Sequence, residues 1–104
     1  MSQDFATAKI KLVTIVAQFS FRDRIAKELR ELNVSGYTQM KASGWGAHGA
    51  SEFGIIDSGN IRFEVLASGD IASKILETVA TKLSHTAIVA FASDVEAVPR
   101  GHFE

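Results

Sequence analysis

Two stretches of this chain lack the in-and-out alternation that a strand shows when helices cover one of its faces and water the other: Val13–Ala17, inside KIKLVTIVAQF, and AIVAFA at Ala87–Ala92. The whole chain has 104 residues, and its helical patterns amount to two helices, one short of what covering a second sheet face requires. A domain this small also buries a modest share of its surface. We therefore expect further copies of the chain to cover that face, giving a homo-oligomer with buried sheet surfaces. A loop folded across the face is the alternative.

The rest of the pattern supplies the frame. Lys9 to Phe19 reads as a strand, polar at its start and covered on both sides later. Ser20 stands as an N-cap with Asp23 three positions on, and Phe21, Ile25, Leu29 and Leu32 recur at helical spacing until Asn33 and Gly36 end the helix. Gly36–Ser43 reads as a second strand. From Gly44 to Gly59 the chain carries five of its eight glycines and no regular period, as expected of a flexible excursion. Asn60–Ala67 alternates Ile61, Phe63 and Val65 against Arg62, Glu64 and Leu66, a strand with one wetter face. Gly69-Asp70 opens a second helix with its stripe at Ile71, Ile75, Val79 and Leu83. AIVAFA reads as a short buried strand, and the tail SDVEAVPRGHFE, mobile from about residue 94, adds at most an edge strand before Pro99. The order βαββαβ predicts an α+β, ferredoxin-like sandwich: a single domain over 1–104, with an antiparallel sheet and both helices on one face.

Charge and composition then exclude classes. Eleven basic against twelve acidic residues give a net charge of −1, which offers no general attraction to nucleic acid or anionic membrane. An RNA-recognition module of this topology would set stacking aromatics within a basic face, which Phe63 and Phe91 do not have. No cysteine is present, so disulfides, thiolate metal sites and a cysteine nucleophile are out. The opening MSQDFATAK has neither the basic start nor the apolar stretch of a signal peptide, and the expected location is cytoplasmic. His48, His85 and His102 fall in three unrelated contexts and read as surface histidines. Ser43, Ser51 and Ser58 lack a nucleophile-elbow setting, and no triad is visible. Glu64, interrupting an apolar strand, reads equally as an outward-facing edge charge and as a ligand contact.

Ser43-Gly44-Trp45-Gly46 is more specific. Glycines either side of a tryptophan at a strand end permit close backbone approach and leave amides free to face an anion. Gly36-Tyr37-Thr38 begins the same strand, and Arg62 lies early in the strand after the excursion. Amides, a hydroxyl and guanidinium groups suit a phosphate or carboxylate. Arg100 in the tail is a second guanidinium that could close over it.

In that order and spacing, Gly36-Tyr37-Thr38, Gly44-Trp45-Gly46 at the base of a long loop, and IRFEVLASGDI leading into the second helix resemble the PII signalling proteins, from Lys9 to about His102. The resemblance implies a homotrimer, a mobile T-loop at about 44–59, no enzymatic activity and no catalytic cofactor, with adenine nucleotide bound in clefts between subunits. It places Gly36, Tyr37 and Thr38 at the edge of the adenine pocket and Gly44 and Gly46 at the loop base. Glu64 and Val65 would line the adenine, with Val89, Ala90 and Phe91 facing the cleft from the next subunit. Ser43 and Trp45 join the expected site through the Ser43-Gly44-Trp45-Gly46 segment, and Arg62 and Arg100 as anion contacts on charge rather than on a matched position. The chain departs from PII proteins where a glycine-rich, lysine-bearing phosphate loop would stand, offering KLSHTA instead, and its T-loop is short and lacks tyrosine. These losses argue against tight triphosphate binding and 2-oxoglutarate sensing. They bring the chain nearer to the PII-like proteins of bicarbonate uptake and carboxysome gene clusters, as does Arg100-Gly101-His102-Phe103. That branch implies AMP, ADP or cyclic AMP as ligand, bicarbonate as a second one, and a bicarbonate transporter or carboxysome protein as partner. The competing readings are a metal-binding trimer of the CutA-like copper-tolerance type and a small ferredoxin-like enzyme.

Overall fold

The computed structural model describes residues 5–44 and 59–103. Strand β1 (Ala8–Gln18) passes through a 3-10 turn (Phe19–Phe21) into helix α1 (Arg22–Glu31), followed by β2 (Thr38–Ala42), β3 (Asn60–Ala67), helix α2 (Gly69–Lys82), β4 (Ile88–Ala97) and a second 3-10 turn (Arg100–Phe103). The four strands form one antiparallel sheet in the order β2-β3-β1-β4. This is the expected ferredoxin-like plan.

Register explains how the sheet acquires its two faces. Val13 lies opposite Val65 and Ala92, Ile15 opposite Phe63 and Ala90, and Ala17 opposite Ile61 and Ile88. Side chains alternate along a strand, so these residues share one face, and α1 and α2 lie over it. Val13, Ile15, Ala17, Ile61, Phe63 and Val65 are buried there with Ile25, Leu29, Ile75 and Leu83 from the helices and the turn after α2. The Arg24 guanidinium donates to the Lys82 carbonyl at 3.2 Å, and Lys82 lies 3.7 Å from Glu28, joining α1 to the end of α2.

The helix ends are set locally. Ser68 caps α2, its hydroxyl accepting from the Ile71 N–H at 3.3 Å. At the far end of α1, Asn33 takes φ +65°. Its N–H donates to the Arg30 carbonyl, and that of Val34 to the Leu29 carbonyl, which is a Schellman ending with asparagine in the usual glycine place. Asn33 thus ends the helix as its sequence implies.

Three expectations are corrected. Ser20 does not cap α1: the chain leaves β1 through the Phe19–Phe21 turn, the capping position falls on Phe21 without a side-chain bond, and Asp23 binds the neighbouring Arg22 at 3.1 Å. The second strand is shorter than Gly36–Ser43, spanning Thr38–Ala42. The AIVAFA segment is not a short buried strand. It opens a ten-residue edge strand that includes residues 94–97 of the supposed tail, and much of its surface is half-covered or exposed.

Candidate functional site

The face of the sheet away from the helices leaves several large apolar side chains exposed. Two adjacent rows cross it. One runs Met40, Arg62, Val16, Val89; the next runs Thr38, Glu64, Thr14, Phe91. Val89 is 55% exposed and Phe91 51%, unusual values for large apolar side chains on a regular strand. Leu66 and Met40 are exposed on the same face. Among the described strand residues, Arg62 and Glu64 are the only charged ones on it. An Arg62 Nη donates to Glu64 Oε2 at 3.1 Å, the two side chains 41% and 33% exposed, while the Arg62 Nε is buried with no partner. A guanidinium committed on one edge, with an unsatisfied N–H on another, retains the capacity to take an anion or a carbonyl oxygen.

Thr14 is buried on this open face, between Glu64 and Phe91. Sequence reasoning passed over it, although it is the lone polar residue in an apolar run.

The structure divides the expected site residues. Thr38, Arg62, Glu64, Val89 and Phe91 come together on the open face. The side chains of Tyr37, Val65 and Ala90 do not join them: Val65 is buried in the core, Ala90 packs against that core, and the Tyr37 ring meets Phe63 at 5.5 Å between centroids. The Tyr37 hydroxyl accepts from Arg30 at 3.4 Å. For Val65 and Ala90 alternation forces this division, because neighbours of an outward residue in a strand point inward. Only the main chain of these three is available to a ligand on the open side. Gly36, Ser43 and Gly44 flank the two ends of β2, whereas Trp45 and Gly46, like His48, lie outside the described residues.

Arg100 stands apart. It begins the turn after β4, whose last residue Ala97 pairs with Ala8, and that turn packs on β1. The loop base, marked by Gln18, Ala42 and Asn60, is at the other end of β1, a strand that spans about 33 Å from Ala8 to Gln18 at roughly 3.3 Å per residue. Within one chain, therefore, the strand that leads into Arg100 ends at the opposite end of β1 from the loop base.

The loop base is itself well defined. The Phe19 N–H donates to the Gly59 carbonyl at 3.0 Å, and Gly59 sits at φ +71°, where an added Cβ would lie 3.3 Å from the Ala42 carbonyl oxygen. Glycine is favoured there on both counts. Among the described residues no three His, Cys, Asp or Glu gather as a metal site, and no helix is long and apolar enough to cross a membrane.

This fold has known counterparts. Residues 10–102 match the family model for nitrogen regulatory protein P-II, which is most of the chain, and the protein belongs to that family. Members of the family are signalling proteins. Among solved structures, a PII-like signaling protein from Thermus thermophilus superposes with a TM-score of 0.79 at 29% identity, covering 96% of this chain and 100% of that one. CPII from Thiomonas intermedia K12, bound to ADP and bicarbonate, gives 0.77 at 21% identity, covering 89% and 92%. The GlnK–ATP complex of B. subtilis gives 0.58 at 17%, covering 86% and 85%. No curated protein sequence matches the chain.

Proposed function

We propose that the protein is a non-enzymatic, cytoplasmic regulator that assembles as a homotrimer and binds an adenine nucleotide, ADP or AMP, in clefts between subunits, with bicarbonate as a second ligand. The observation that carries this reading is the open sheet face. Exposed Val89 and Phe91 beside Thr38, Arg62 and Glu64 combine an apolar bed with one guanidinium whose Nε is unsatisfied. Apolar walls with a few convergent polar groups are what a small organic anion requires. Covering that face with other subunits would turn an open bed into a cleft. Arg100, far from its own loop base, would then serve a neighbouring subunit's cleft. Support for the ligand class comes from the Thiomonas protein of the same fold, which binds ADP, AMP and bicarbonate.

Regulation follows from ordering. Phosphates held by loop-base amides and guanidinium groups would fix the chain around Gly44 and Gly59, changing the surface offered to a partner. The partner proposed from the sequence resemblance is a bicarbonate transporter or a carboxysome component. Thermal unfolding against AMP, ADP, ATP, cyclic AMP and bicarbonate, singly and paired, tests the reading. A ligand at a hundredfold excess over its Kd adds about 2.7 kcal/mol, so ADP or AMP should raise Tm progressively with concentration. A Tm that none of the five ligands moves contradicts the proposal.

A further inference from the structure

Both stems of the segment between β2 and β3 are tied to one residue at the end of β1. Phe19 donates its N–H to Gly59 on the outgoing stem. The Lys41 ammonium, on the incoming stem, lies 4.8 Å from the centroid of the Phe19 ring. The Arg22 guanidinium, from the first residue of α1, lies 4.8 Å from the same centroid. One aromatic ring thus holds two cations from two elements, and the same residue's main chain holds a third segment. Lys41 has no ion pair among the described residues, so the ring is its described partner. The negative ring face attracts both cations, and Arg22 also pairs with the Asp23 carboxylate at 3.1 Å.

We infer that Phe19 is a positioning residue that clasps the two stems to the start of α1 and so sets the geometry of the loop base. The clasp accounts for three local features together. The chain makes a 3-10 turn at Phe19–Phe21 instead of a capped helix start, which presents the Phe19 amide and ring toward the stems. Gly59 adopts positive φ, aiming its carbonyl at that amide while passing close to Ala42. Lys41 occupies the helix-side face of an edge strand, where its charged end reaches solvent and its ammonium still reaches the ring. Because Arg22 is the first residue of α1, any rearrangement of the stems is felt at the helix N-terminus. If the nucleotide reading above is right, this is the route by which ligand at the loop base would reach α1; the clasp itself stands without that reading.

Amide hydrogen exchange on the full chain without ligand tests it, so that failure to bind nucleotide leaves the result intact. Phe19→Leu keeps the apolar body and the main-chain N–H but removes the ring face, and Lys41→Gln removes one cation without touching the core. Exchange in stem residues 41–44 and 59–61 and at the Phe19 amide should be about five- to tenfold faster in Phe19→Leu and about two- to fivefold faster in Lys41→Gln, with β1 residues 12–16 and α2 unchanged. Addition of salt should speed stem exchange in the wild-type chain more than in Lys41→Gln. Stem exchange unchanged in either variant, or faster exchange spread evenly through β1 and α2, overturns the proposal.

Discussion

The two faces of the sheet are made from the same strands yet obey different rules. On the helix side, Val13, Ile15, Ile61, Phe63 and Val65 are sealed in an apolar layer. On the open side, one residue along each strand, the large apolar side chains Val89 and Phe91 stand half in water, with Arg62 and Glu64 paired between the rows. The first face is complete within one chain, because two amphipathic helices suffice to cover it. The second is incomplete, and its residue types fit cover better than water. A packed face reports on how the chain folds; an unfinished one reports on what the folded chain meets.

Substitutions should separate the two faces. Phe63→Ala, in the fully sealed layer, should cost about 3–5 kcal/mol and lower Tm by tens of degrees, since about 1 kcal/mol moves Tm by roughly 4–8 °C in a domain of this size. Thermal unfolding by circular dichroism checks this. Phe91→Asp, in the first half of β4 and on the other face, should leave secondary structure intact while abolishing assembly, read by light scattering. If Phe91→Asp stays assembled, the open face is not the subunit contact. Gly59→Ala forces a side chain into positive φ against the Ala42 carbonyl and should cost about 1–2 kcal/mol, measured by chemical denaturation. Ser68→Ala removes the α2 cap, about 1 kcal/mol, and belongs to the covered side alone: it should leave assembly and ligand affinity untouched. Smallest is Lys11→Ala. Its pair with Asp94 is exposed, and the loss should stay below about 1 kcal/mol and shrink further in salt.

Much of the fold was legible because period and face coincide. The alternation Ile61, Phe63, Val65 marked the inner face of β3, and the stripe through Ile75 and Leu83 marked the side of α2 that meets it. In the sequence Ser93, Asp94 and Glu96 make the second half of β4 resemble a tail. At a sheet edge such residues are tolerated, since Asp94 can reach Lys11 across the ladder and still stand in water. Ser20 misled because capping chemistry is a local preference, and the turn built on Phe19 and Phe21 took precedence.

The site was less legible. Thr38, Glu64, Thr14 and Phe91 form a row that exists only once the register of four strands is known. The same register carries Val65 and Ala90 to the opposite side. Charge alone associates Arg100 with the loop base, yet antiparallel pairing of β4 with β1 ends the strand before it at the far end of the sheet. Charge says what a residue can hold, while topology says where.

Sedimentation equilibrium of the purified protein, with and without ADP, asks most directly whether the open face is where copies of the chain meet. A mass three times that of the 11.2 kDa chain is predicted, together with its loss in Phe91→Asp. A single-chain mass for the wild type, unchanged by ADP, would mean that Val89 and Phe91 face water in the working protein, and the proposed inter-subunit cleft would not exist.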